Sequence, residues 1–161
     1  MRGGVVPPAL LFAALGLALA FAPRRAWALS LLALCATLGA STFVPVPHVW
    51  LEGVFLGCWI SVIATAATVH LVRGLSPCAA LALSLNAGVW ASAVVSLSGS
   101  RLDLLKALPS VLIFLPASWV VGRHGSIPVK VVSSWVIAVA VLAATLQLLP
   151  VTPGYLPDHM E

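Results

Sequence analysis

The side chains that could do chemistry are few, and they fall into two sets. The first is a polar rim. His48 and Glu52 are four residues apart, so on a helix they share a face. An imidazole beside a carboxylate suits a divalent metal. Asp103, Asp158, His159 and Glu161 fall on the same side of the hydrophobic runs, which makes Asp158 and His159 the weak candidates to complete such a site. A plainer chemistry competes and is preferred. Glu52 sits near a helix N-terminus, where the dipole favours a carboxylate, and the two histidines read as wetted interfacial residues. No metal site is expected.

The second set lies in the apolar interior. Asn86 is the one carboxamide near the middle of a hydrophobic run. A lone Asn in hydrocarbon usually hydrogen-bonds to a neighbouring helix, so Asn86 is expected to act as glue. Its functional alternative is a polar ligand for a solute or ion in the membrane. Gln147 has the same reading. His70 and His124 belong to a run end and a loop and do not suggest a haem pair, and no cofactor is expected. Cys35, Cys58 and Cys78 have no ligand spacing and read as small packing residues.

Familiar catalytic patterns are missing. There is no pair of intramembrane carboxylates, no GxxxxGK[ST] phosphate loop and no Gly-x-Ser-x-Gly elbow. Proton-driven transporters place an ionisable group deep in the membrane, whereas the deep parts of these runs hold no Asp, Glu, Lys or Arg. The expectation is a non-catalytic protein. An enzyme working at the rim is the weakest alternative.

The elements that must position these residues follow from composition. Of 161 residues 61% are hydrophobic and only 7% charged, with a mean hydropathy of +1.13. Soluble domains carry about a quarter charged residues, so this chain lacks the charge to cover itself in water. The expected class is an all-α integral membrane protein: one polytopic domain, 1–161, in a compact bundle of about six transmembrane helices with short loops. The net charge of +4 is spread among loops and forms no basic stripe of the kind nucleic acid requires, so no nucleic-acid partner is expected.

The spans read as about 5–22, 26–44, 48–71, 78–98, 104–121 and 131–150, with an irregular tail at 151–161. Ala20-Phe21-Ala22 resembles a small-x-small cleavage site. Pro23 directly after it and the Arg24-Arg25 pair favour a retained helix instead. Pro7 and Pro8 fit its opening turn. Trp27 is expected at headgroup depth. Gly74-Leu75-Ser76-Pro77 is a turn by composition. The fifth span is the hardest to place, because Pro109 and Pro116 interrupt it and Lys106 must snorkel. Trp27 to Pro45 aligns without gaps on Trp135 to Pro153, a weak sign of a parallel repeat.

Small residues recur every fourth position in the third run (Gly53, Gly57, Ser61, Thr65) and the fourth (Ala80, Ser84, Gly88, Ser92, Ser96). Facing stripes of this kind let two helices approach closely in lipid. Spans three and four are therefore expected at the centre, backbone against backbone.

Orientation follows from the basic residues. Arg24, Arg25, Arg73, Arg123 and Lys130 lie on one side, against Arg2, Arg101 and Lys106 on the other. The first side is expected to be cytoplasmic, with both termini and the tail outside, in what reads as a bacterial inner (plasma) membrane.

The function that fits is a structural or accessory subunit that packs against other membrane subunits, or a second copy of itself, within the lipid bilayer. The alternative is a small-solute or ion transporter, or the membrane subunit of a multi-component one, with a cavity near Asn86 and an entrance at His48 and Glu52. On the packing reading, Gly57→Leu or Gly88→Leu should abolish folding or assembly. Normal expression and co-purification of both variants would count against it.

Overall fold

The computed structural model describes residues 5–41, 47–71, 74–98 and 101–148. Seven α-helices carry these residues: α1 (Val6–Leu19), α2 (Arg24–Ser41), α3 (Leu51–Ala67), α4 (Pro77–Ser98), α5 (Arg101–Ala107), α6 (Phe114–His124) and α7 (Ile127–Leu148). Short 3-10 turns flank α3 at His48–Trp50 and Thr68–His70, and a longer 3-10 segment, Leu108–Ile113, joins α5 to α6. Among the described residues there is no strand. Four stretches are long and apolar enough to cross a membrane: Leu51–His70, Pro77–Leu97, Leu102–His124 and Ile127–Leu148. The chain is thus all-helical and has the composition of a multi-pass membrane protein. α1 is apolar but shorter, with 14 residues, or about 21 Å at 1.5 Å per residue.

The centre of the bundle is α1, not the pair α3 and α4. Every residue from Ala14 to Leu19 is buried, which takes in all faces of the helix. A helix apolar all round belongs in a core. α1 touches α3, α4, α6 and the 3-10 segment, while α2 packs chiefly on α4 and α7 chiefly on α3. α7 shows the opposite pattern. It buries Val129, Ser133 and Ala140 along one stripe and leaves Trp135, Leu142 and Leu146 exposed. The two copies of the suspected repeat accordingly pack on different helices, and residues 42–46 and 149–153, at their ends, lie outside the described set.

Trp27 closes the end of α1. Its indole N–H donates to the carbonyls of Leu19 (3.0 Å) and Ala22 (3.3 Å), supplying a donor to the end of α1, where helix carbonyls lack intrahelical partners. Its ring meets Phe114 edge-on at 4.8 Å. The half-buried indole thus has a structural use, tying the start of α2 to the end of α1.

The loops are tied to one another. Ser76 accepts the backbone N–H of Ala79, and Pro77 opens α4, so the Ser-Pro pair starts the helix as an N-cap and first position should. Just before it, Gly74 has φ +72°, a conformation L side chains rarely adopt. That turn lets Leu75 N–H reach Phe21 O at 3.3 Å, which joins the α3–α4 loop to the α1–α2 loop.

The proline-interrupted fifth stretch is a continuous helical rod, from Arg101 to His124. Pro109 and Pro116 each remove a backbone donor, and from Leu108 to Ile113, with Pro109 in its opening turn, the coil tightens to 3-10 over six residues, long for that geometry. Lys106 is exposed. This segment lies directly on α1. Ser110 Oγ donates to Ala9 O at 3.0 Å. A Cβ at Gly16 would stand 2.5 Å from Val111 O and from Ile113 Cγ2, and 3.3 Å from Phe114 N. Two of those three atoms are backbone and cannot swing away. Gly16→Ala should therefore destabilise the fold by about 1–3 kcal/mol, the usual cost of overpacking. Gly53 has nothing within 4 Å of such a Cβ. Gly53→Ala should be neutral or gain up to about 1 kcal/mol by removing a helical glycine. Thermal unfolding of both variants in one mild detergent checks this, and equal stability of the two would contradict it.

Candidate functional site

α3 and α4 run antiparallel and meet through a polar seam rather than bare backbone. Trp90 Nε1 donates to Asn86 Oδ1 at 3.1 Å, and Asn86 Nδ2 donates to Ser61 Oγ. An indole N–H can only donate, so the Asn86 oxygen must face Trp90 and its amide nitrogen must face α3. The indole is four residues beyond Asn86 on the same face of α4. It lies against Gly57, where a Cβ would run into its six-membered ring. Gly57 thus pairs with Trp90 and Ser61 with Asn86.

The two small-residue stripes therefore do not face each other. Gly57 makes room for an indole. Gly88 turns to α2, where a Cβ would lie 2.7 Å from Thr37 Cβ and 3.4 Å from Leu34 O. Thr37 spends its hydroxyl on Ala33 O and presents its carbon atoms to Gly88. The geometric reason is angular. Asn86 and Trp90 point well away from the Ser84/Gly88 face, since two residues span about 200° on a helix. One face of α4 serves α2 while the other reaches α3. Gly53 is exposed, Ser61 and Thr65 are buried, and Ala80, Ser84 and Ser92 are buried. The α4 serines bond to their own helix: Ser84 to Ala80 O, Ser92 to Val89 O, and the exposed Ser96 to Ala93 O.

Other side chains link helices that the spacing did not single out. Ser133 of α7 is fully buried and donates to Ala66 O of α3 at 2.7 Å. Ser110 does the same toward α1. The signal for Gly16 was available, because it is the one glycine within residues 5–22. Ser110 and Ser133 gave none, as serines are frequent in the chain. Among the described residues, three buried polar atoms have no hydrogen-bond partner: Ser30 Oγ, Trp59 Nε1 and Thr65 Oγ1. Trp59 and Thr65 are six residues apart, about 120° around α3.

Only part of the polar rim falls on described residues. Glu52 is exposed in the first turn of α3, Asp103 lies in the first turn of α5, and His48 opens the 3-10 turn before α3. Asp158, His159 and Glu161 lie outside the described residues, as does the tail. Among the described residues no group of three or more His, Cys, Asp or Glu stands together as a metal site would require. His70 is exposed at the end of α3's 3-10 turn, and His124 is the last residue of α6 rather than part of a loop. Cys58 is buried, while Cys35 and Cys78 are exposed. Gln147 is exposed near the end of α7.

The chain matches no family model, no curated protein and no solved structure, so the residues themselves carry the functional reading.

Asn86 is the hinge of that reading, because its amide nitrogen crosses the seam to Ser61 while its oxygen holds Trp90 on its own helix. A double-mutant cycle between Asn86→Ala and Ser61→Ala should give a coupling of about 0.6 kcal/mol, at most about 1.7, the range for interhelical bonds in lipid. Reversible unfolding in micelles measures it. Additive effects would show that the pair does not hold α3 to α4.

Proposed function

We propose that the chain is a non-catalytic polytopic membrane protein, a structural or accessory subunit that packs against partner helices in a larger membrane complex. The single observation behind this reading is the use made of Asn86. The most solute-like group in the apolar interior holds Ser61 with one end and Trp90 with the other, which is what helix packing asks of it. The exposed flank of α7, with Trp135, Val139, Leu142 and Leu146, is the surface offered to a partner.

In this reading six helical stretches cross the bilayer: α1, α2, α3, α4, the rod from α5 to α6, and α7. Both termini face outward, and the end bearing Arg24, Arg25, Arg123 and Lys130 faces the cytoplasm, in line with the distribution of basic residues. A bacterial inner membrane is the proposed location.

A transport role is the second reading. Its support is that Thr65 and Trp59 are buried with polar atoms unpartnered, and such atoms can bind a passing polar group. Asn86 would then lie beside the path, with His48 and Glu52 at its entrance. Unchanged uptake by the Asn86→Leu variant would remove it.

The subunit reading predicts that the chain leaves its native membrane in gentle detergent as a stoichiometric complex with one other membrane protein or with itself. Leu142→Arg, on the α7 flank, should release it while a second reporter, the thermal unfolding midpoint of the isolated chain, stays within a few degrees. A native mass equal to one chain, before and after the substitution, would contradict the proposal.

A further inference from the structure

We infer that the hairpin between α6 and α7 is a binding site for the phosphate headgroup of an anionic phospholipid. The two helices are joined through Gly125 and Ser126 alone, so the last turn of α6 and the first turn of α7 are neighbours. Arg123 and His124 end α6 and Lys130 lies in the opening turn of α7, so all three fall in the two turns that flank this hairpin.

Arg123 is held in place by its neighbours. The Arg123 guanidinium lies over the Trp119 ring, 5.2 Å from its centroid, and the His124 ring meets the same indole edge-on at 6.0 Å. A guanidinium parked on an indole face keeps its N–H donors at the edge, free to grip phosphate oxygens in a fork. Space is available beside it. A Cβ at Gly122 or Gly125 would have nothing within 4 Å, and the φ of +82° at Gly125 turns the chain sharply between the helices.

No described carboxylate competes for these cations. Glu52 and Asp103, the two described acids, lie in the first turns of α3 and α5. Those turns are at the opposite end of the bundle, because the far end of α3 is the one bonded to α7 near its start, through Ser133 and Ala66.

The surroundings distinguish a lipid from a free anion. Trp119, Ile127, Val131 and Trp135 are exposed, Ile127 and Trp135 each by 74%. A basic head set directly on an apolar wall has the shape of an amphiphile: phosphate above, acyl chains below. Tryptophans at this depth are what a membrane interface favours. The inference rests on the membrane reading of the fold, but not on which side of the membrane this end faces.

The test uses the full chain purified in a neutral detergent, with retained lipid counted by native mass spectrometry. Phosphatidylglycerol and phosphatidylcholine of identical chains are offered, and inorganic phosphate is added as a competitor. Phosphatidylglycerol should be retained several-fold over phosphatidylcholine, and millimolar phosphate should not displace it. A basic residue near an anionic headgroup contributes roughly a fivefold preference. Arg123→Gln with Lys130→Gln should therefore cut the phosphatidylglycerol preference by about an order of magnitude or more. Trp119→Leu should weaken it less but measurably, and Arg24→Gln with Arg25→Gln, at the start of α2, should leave most of it. Equal retention of the two lipids overturns the site. So does an equal loss in the α2 control, which would mean only a diffuse field, and so does full displacement by phosphate, which would mean an anion site without lipid. Extraction of the chain from vesicles by carbonate would instead strike at the membrane reading, and is scored separately.

Discussion

Gly16 is where α1 and the proline-bounded 3-10 segment meet backbone to backbone, and the rest of the bundle is arranged around that contact. Lipid tails are as apolar as leucine, so greasy side chains alone give helices no reason to associate. Close fit and a few hydrogen bonds must do it. At Gly16 the fit is close enough that one methyl group would collide with Val111 O. Ser110 adds a hydrogen bond to Ala9 O two turns away, and Trp27 holds the other end of α1 through Leu19 O. The central helix is thus fixed at three levels by three different chemistries.

The same economy recurs further out. α3 receives Trp90 in the gap left by Gly57, and Asn86 spans from that indole to Ser61. α4 offers Gly88 to Thr37 on its other side. α7 needs only one buried serine to register itself on α3. Asn86, Ser110 and Ser133 spend interior polarity on joining helices, which is the ground on which we propose a subunit role. The charged groups are kept to the ends, where Arg123 and Lys130 meet the interface from one hairpin.

Much of the fold was legible in the sequence. The scarcity of charge demanded helices in lipid, and the Gly74 to Pro77 turn, the start of α4 and the packing of Gly57 and Gly88 each leave a local trace. The partners of the glycines were not legible. Fourfold spacing tells that a face is small, but not which helix fills it. Asn86 and Trp90 occupied the α3-facing side of α4, so Gly88 was left for α2. The central place of α1 was hidden for a similar reason, since a uniformly apolar run carries no periodicity to show burial on all sides. Prolines 109 and 116 read as interruptions. Together they built a 3-10 stretch that continues the rod and brings its backbone onto Gly16.

The central claim is that α1 is shielded on every face from Ala14 to Leu19 while α7 is not. Single cysteines placed at Leu11, Leu15, Trp135 and Leu142, in a chain whose own Cys35, Cys58 and Cys78 are replaced by alanine, can be probed with a thiol reagent confined to the acyl phase, after the chain has been freed of partners and reconstituted as a monomer. The account predicts ready labelling at Trp135 and Leu142, exposed by 74% and 61%, and almost none at Leu11 and Leu15, both fully buried. Labelling of the α1 positions at the rate of those on α7 would contradict it.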